Sequence, residues 1–197
     1  MSVEYDIRIP DTAYHYEARL VAGWTEGEHM LPKSMEEILD LFEKGHSVLV
    51  YKLGHRNPPL GHAAITAEYP DDHVEIGTLI TNPDMRRKGI GTIATLAIAE
   101  LAEQLYPGWG TFALANDQSS SLFEKLGAKP MSTLELCSEV WDFCSTCPKL
   151  PKQVDGEPFE CCDTPYDLTG IHSLANMYTL SWLSNYVWRS EYVPPHR

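Results

Sequence analysis

The sequence predicts an α/β chain with elements in the order β-α-α-β-β-β-α-β-α-β. Three observations predict it. Strand-like runs at 46–53, 60–69 and 73–81 are joined by turns short enough only for antiparallel hairpins. A long helix with one apolar face follows them, from Gly91 to Tyr106. Short strands and one further helix then alternate to about Leu136.

Taken in order, Val3 to Ile9 alternates well enough for a strand, and Pro10-Asp11-Thr12 looks like a helix start with Tyr14, Ala18 and Val21 on one face. Ser34-Met35-Glu36-Glu37 has the form of a capping box, in which the serine and the glutamate satisfy each other's main-chain amides. Met35, Ile38, Leu39 and Phe42 repeat at helical spacing and Gly45 supplies the stop. Turns at Asn57-Pro58-Pro59 and Pro70-Asp71-Asp72 separate the three strands. In the long helix Ala94, Ala97, Ile98, Leu101 and Leu105 share a face, and Pro107-Gly108 ends it. Thr111 to Ala115 reads as a buried strand, Ser119 to Leu126 as a helix stopped by Gly127, and Lys129 to about Leu136 as a last strand. Composition changes there, so residues 1–137 read as one domain and 138–197 as a C-terminal extension.

The 197 residues suffice for one domain with an appendage. A hydrophobic share of 43% and a charged share of 22% fit an ordinary globular chain. The net charge of −13 argues against nucleic acid as a partner, because that needs a basic footprint. It favours cationic ligands such as amines, or serves solubility alone. No window of about 18 apolar residues is present, so no membrane span is expected. The start, MSVEYDIRIP, carries acids where a secretory signal carries lysines. A cytoplasmic location is the expectation.

The segment Arg86-Arg87-Lys88-Gly89-Ile90-Gly91 sits between a strand and the long helix. A helix start offers unpaired N–H groups and partial positive charge, and glycines let the main chain approach a phosphate. The alternative is a turn with solvated charges. The pattern Arg86-x-x-Gly89-x-Gly91, with Glu75-Ile76-Gly77-Thr78-Leu79-Ile80-Thr81-Asn82-Pro83 before it, resembles motif A of the GNAT (GCN5-related N-acetyltransferase) superfamily. The likeness extends over about residues 3–136. It implies the GNAT fold, a central mixed and mostly antiparallel sheet flanked by helices, and acyl transfer from acetyl-CoA or another acyl-CoA to a small-molecule or protein amine. It also implies residue roles. The amides of Arg87, Lys88, Gly89, Ile90, Gly91 and Thr92, with Arg86 opening the motif, hold the pyrophosphate. Main chain at Leu79, Ile80 and Thr81 pairs with the pantetheine arm. Asn116 contacts the cofactor near its thioester.

Acyl transfer to an amine requires removal of a proton, since a free alkylammonium has a pKa of ~10. Glu75 is the candidate base, at a position where several members of the family carry a catalytic glutamate; binding a substrate ammonium and a purely structural use are the alternatives. The family's general-acid tyrosine is replaced here. In the run from Asn116 to Gly127, Phe123 stands at its position, so the thiolate leaves unassisted or a hydroxyl such as Ser120 helps. If this chemistry has lapsed, the chain is instead an acyl-CoA-binding module with its tail as a docking surface. Glu68, Tyr69 and His73 at strand ends, and Trp24 and His29 between the first two helices, are further cleft candidates.

The chain has five cysteines. Cys144-x-x-Cys147 followed by Cys161-Cys162 suggests a structural zinc site, with Asp163, Cys137 or His172 as substitute ligands; a redox pair and free thiols are the alternatives. In the aromatic end from Ile171 to Arg189, Leu174, Tyr178 and Trp182 fall four apart, which predicts an amphipathic helix. It packs on the domain, or forms a lid or a homodimer contact.

Overall fold

A computed structural model describes residues 5–26, 31–55, 58–146, 164–171 and 186–189. The elements are β1 (Tyr5–Arg8), α1 (His15–Thr25), α2 (Met35–Glu43), β2 (Ser47–Lys52), β3 (Gly61–Tyr69), β4 (His73–Thr81), α3 (Ile90–Leu105), β5 (Gly110–Ala115), α4 (Asp117–Lys125), β6 (Lys129–Pro130), β7 (Thr164–Asp167) and β8 (Tyr186–Arg189). They form one eight-stranded sheet in the order β6-β7-β5-β4-β3-β2-β1-β8. Pairing is antiparallel except for β4 with β5 and β1 with β8. The expected fold class and element order hold through β6.

Helices cover both faces, because the strands alternate their apolar residues between two cores. One core joins Val48, Val50, Ala63, Ile65, Val74 and Ile76 to the apolar face of α3, with Ile93, Ala94, Ala97 and Leu101. The other joins Leu49, Tyr51, Ala64 and Ile80 to Ala18 and Val21 of α1 and to Ile38, Leu41 and Phe42 of α2. Helix α2 starts on the expected capping box: Ser34 accepts from the Glu37 amide, and Glu37 from that of Ser34. Helix α1 starts later than expected, after Tyr14, because the Asp11 carboxylate accepts from the Ala13 amide and holds a turn there.

Three differences from the sequence reading lie near the C-terminus. The strand expected over 129–136 spans only Lys129–Pro130. The Met131 amide still bonds to Pro165, and then Ser132 and Glu135 cap a short 3-10 turn that lifts the chain off the sheet. Second, Thr164–Asp167 inserts as β7 between β5 and β6. Residues beyond 137 thus supply a strand to the sheet itself, and the cysteine-bearing stretch lies within the β6–β7 connection. Third, Tyr186–Arg189, expected to be helical, pairs in parallel with β1. Its Tyr-Val-Trp sequence suits a strand, and the pairing covers an edge that β1 would otherwise leave open. The rest of that expected helix, 172–185, lies outside the described residues.

Gly61 seats α3 on the sheet. A methyl added there would stand 2.6 Å from Cγ2 of Ile90 and 3.3 Å from the Ile80 carbonyl oxygen. Ile90 is the first residue of α3 and is buried. Gly61→Ala is therefore expected to cost about 1–3 kcal/mol by overpacking, read as a lower midpoint in urea. A variant as stable as the parent would show that α3 is not held by this contact.

Candidate active site

Strands β4 and β5 pair only over His73–Glu75 and Gly110–Phe112. Beyond these pairs β4 runs on to Thr81 and β5 to Ala115, so the two diverge. Glu75 is the last paired residue of β4 and stands where the gap opens.

The β4 main chain facing the gap follows from strand parity. The Asn82 amide bonds to the Leu60 carbonyl, and His62 pairs with Ile80 two residues on. Alternation in an antiparallel pair then points the Ile80 groups at β3 and those of Leu79 and Thr81 away from it, toward the gap. Ile80 thus differs from the expectation that all three residues present main chain to a ligand. Leu79 and Thr81 turn theirs toward the gap.

At the far end of the gap is the start of α3. Asn82 caps a 3-10 turn over Pro83–Met85 by accepting from the Asp84 amide. Arg86, Arg87 and Lys88 follow, exposed. Arg87 has φ 61° and Gly89, the residue before α3, has φ 80°. Two left-handed residues fold the loop back on itself, and only glycine accepts that conformation without strain. No side chain caps α3 and its first turn holds no acid, whereas Ser34 caps α2 and Asn116 caps α4. The amides of Ile90, Gly91 and Thr92 thus begin a 16-residue helix whose positive end is left to an outside anion.

Glu75 alternates with Val74 and Ile76, which belong to the α3 core, and so faces the other side of the sheet. Its neighbours there are Tyr69 and Phe112, under a cover formed by Leu136, Val140 and Trp141. The Tyr69 hydroxyl donates to Glu75 Oε2 at 2.8 Å, and the two rings, Tyr69 and Phe112, pack with centroids 5.7 Å apart. Burial, and then the Glu75 charge, push the Tyr69 phenol far above its ordinary pKa. The phenol therefore keeps its proton and donates it to Glu75.

The other cleft candidates separate. Glu68 accepts from the Tyr106 hydroxyl at 2.7 Å, and that hydroxyl also meets His46 Nε2 at 2.9 Å. This cluster ties the C-terminal end of α3 to the sheet, at the opposite end of α3 from the loop. His73 Nδ1 lies 3.0 Å from the Asp71 carbonyl oxygen and belongs to the β3–β4 turn. Trp24 packs against the α1–α2 core. His29 lies outside the described residues. Asn116 uses its side-chain oxygen to accept from the amides of Gln118 and Ser119. Phe123 is buried and packs on Tyr166, whose hydroxyl donates to Glu124. Ser120 donates to the Asn116 carbonyl. Of the expected zinc ligands, Cys147, Cys161 and Cys162 lie outside the described residues, and Cys144 is described by its main chain alone. Among the described residues no group of three or more metal-binding side chains is gathered. Among them, too, no helix is long and apolar enough to cross a membrane.

One buried group escaped the sequence reading. His62 is fully buried on β3, with Nδ1 3.0 Å from the Thr78 carbonyl oxygen and Nε2 3.1 Å from Ser47 Oγ. Its signal was a histidine within the apolar run Gly61-His62-Ala63-Ala64-Ile65. Burial lowers its pKa to about 4, against the pull of the Thr78 bond. Burial lowers that of His46 as well. The unfolded chain therefore binds more protons than the folded one below the ordinary histidine pKa of ~6.5. This stability is fully present above that pH and is lost as pH falls toward 4. Stability is expected to be about 2 kcal/mol lower at pH 5 than at pH 7 by urea unfolding. Equal stability at the two pH values would contradict a neutral buried imidazole.

Residues 13–128 match the acetyltransferase (GNAT) family. No curated protein matches the chain. Among solved structures, N-acetylglutamate synthase from Neisseria gonorrhoeae, complexed with coenzyme A and N-acetyl-glutamate, is similar at 19% identity and a TM-score of 0.62, over 83% of this chain and 34% of the synthase. The chain thus spans about a third of that enzyme's length. Rv2747 from Mycobacterium tuberculosis, in complex with CoA, is similar at 16% identity and a TM-score of 0.57, over 90% of each chain. Ard1 from Thermoplasma volcanium is similar at 14% identity and a TM-score of 0.55, over 84% of this chain and 95% of Ard1. At these identities the structures speak for the fold. The family match spans more than half of the sequence and includes both the uncapped start of α3 and Glu75 at the fork of the sheet, and the chain belongs to the GNAT acetyltransferase family.

Proposed function

We propose that the protein transfers an acetyl group from acetyl-CoA to a primary amine by direct attack on the thioester. The observation that carries this reading is the position of Glu75, the last β4 residue paired to β5. A pantetheine arm entering the gap from the α3 end, along Thr81 and up to Leu79, places its thioester between Leu79 and Glu75. From Thr81 to Glu75 the strand spans about 20 Å, by its rise per residue. The main-chain amides from Arg87 to Thr92 take the pyrophosphate, and Asn116, at the end of β5, lies on the other side of the arm.

Bound acetyl-CoA supplies an acyl carbon activated as a thioester. Glu75 accepts the ammonium proton, directly or through a water, and frees the nitrogen lone pair. The C–N bond forms as the C–S bond breaks, the thiolate leaves with CoA, and the nitrogen gives up its second proton to water. A thiol pKa of ~8.5 makes departure feasible without the phenol that Phe123 replaces. The sheet face shared by α1, α2 and residues 136–141, onto which Glu75 opens, receives the acceptor. The net charge of −13 suits an amine.

Phe123 supports a second reading, an acyl-CoA-binding module without turnover, because no tyrosine stands at that position. Incubation with acetyl-CoA and a panel of amino acids, polyamines and peptides, following free thiol, separates the two. Amine-dependent thiol release supports the transferase. Saturable CoA binding with no release across the panel favours the binding module.

A further inference from the structure

The β3–β4 ladder contains an irregularity centred on Thr78. His62 pairs with Ile80 and Ala64 with Gly77, so Ala63 alone faces both Thr78 and Leu79. This is a β-bulge, and it lies within the stretch of β4 that borders the gap. Thr78 occupies it with φ 46°. A β-branched residue in the left-handed region is strained and persists only if its surroundings fix it. The Thr78 hydroxyl adds a cost of its own, being buried with no hydrogen-bond partner.

Two side chains do the fixing. The Thr78 carbonyl can only accept, so His62 Nδ1 must carry the proton. Nε2 of the neutral ring then holds a lone pair, and the Ser47 hydroxyl donates to it. Ser47 and His62 are both fully buried, and the Phe42 ring lies 5.9 Å from the imidazole, centroid to centroid. The ring therefore has one tautomer and one orientation. In a trans peptide the carbonyl and the following N–H point in opposite directions. Holding the Thr78 oxygen toward His62 aims the Leu79 N–H away from it, to the side of β4 that strand parity already assigns to the gap.

We propose that His62, oriented by Ser47, is a positioning residue that locks the Thr78–Leu79 peptide so that the Leu79 N–H is presented to the acyl oxygen of the bound thioester. The role rests on the acetyl-CoA reading. It places no part of His62 in contact with substrate; the imidazole acts through one peptide group. A preset main-chain donor stabilises the charge that develops on an acyl oxygen, and a misaimed one does not.

The first test needs neither a variant nor turnover. Nitrogen NMR of the wild-type imidazole at pH 7 is expected to find Nδ1 protonated and Nε2 bare; the opposite tautomer overturns the proposal. Two variants then test the consequence. His62→Leu removes the donor and is expected to lower kcat about 10- to 100-fold, with KM for acetyl-CoA and CoA affinity within about twofold of the parent. His62→Asn places an amide nitrogen near the Nδ1 position and is expected to recover kcat to within about threefold of the parent. Equal losses in the two variants, or an unchanged kcat in His62→Leu, would overturn the role. Should His62→Leu fail to fold, Ser47→Ala keeps the donor but frees the ring, and a kcat equal to the parent's overturns it. If the wild-type protein binds acetyl-CoA but acetylates nothing, the transferase reading fails by itself. The Leu79 amide resonance then decides the positioning role: it must shift on acetyl-CoA binding in the parent and less so in Ser47→Ala, and an equal shift in both counts against it.

Discussion

Glu75→Gln is expected to lower kcat for acetyl transfer by about 10²- to 10³-fold while leaving CoA affinity within about twofold. The carboxylate lies on the sheet face opposite the α3 core, so its replacement leaves the loop, α3 and the walls of the gap untouched. Glutamine keeps the volume and can still accept from the Tyr69 hydroxyl, which now reaches Oε2 at 2.8 Å. Stability should therefore change little. What the amide cannot do is take a proton. If Glu75 instead only bound the acceptor as an ammonium, the loss would appear mainly in the acceptor's KM, with kcat retained at saturation. An unchanged kcat would remove Glu75 as the base. Tyr69 did not stand out in the sequence as its partner, yet its hydroxyl donates to Glu75 and confines the side chain.

Gly91→Glu is expected to weaken CoA binding by roughly 100-fold, from like charges a few ångström apart at surface-type screening, without loss of stability. The two effects separate for a structural reason. A Cβ at Gly91 would meet only ordinary contacts, Leu122 at 3.5 Å and Thr81 Oγ1 at 3.7 Å. A carboxylate in the first turn of a helix favours the helix itself, by about 0.3–1 kcal/mol. The first turn of α3 nevertheless carries no acid, and α3 has no side-chain cap. The sequence forgoes a helix-stabilising option at the one place where it would repel a pyrophosphate. Urea unfolding and CoA titration of the same variant read both quantities. Undiminished affinity would place the anion elsewhere.

How legible each part was in the sequence depended on whether its signal was local. The capping box from Ser34 to Glu37 closes within one turn and appears as expected. The hairpin strands β3 and β4 lie close to their expected bounds, because their turns and alternation are encoded within the strands themselves. The third strand of the sheet's other half was not legible. Thr164–Asp167 carries a proline and an acid in four residues, and only its partners β5 and β6 make it a strand. The same holds at Tyr186–Arg189, where pairing with β1 overrode the helical spacing read upstream. In the candidate site, the glycine loop and Glu75 could be singled out from the sequence because one resemblance covers both. The fork at Glu75 and Phe112 depends on where two strands part, and the bulge at Thr78 on a one-residue mismatch between strands. Neither is written in either strand alone. His62 joins β3 to residues 15 positions before it and 16 after it, a contact that periodicity does not reveal.

The central claim is that the start of α3 and the gap between β4 and β5 form one continuous CoA site ending at Glu75. Amide NMR of the wild-type protein titrated with CoA tests it most directly. One saturable site is expected, with the largest shifts at the amides from Arg87 to Thr92 and at Leu79 and Thr81, and a smaller one at Glu75. Shifts confined to other surfaces, or none at saturating CoA, would contradict it.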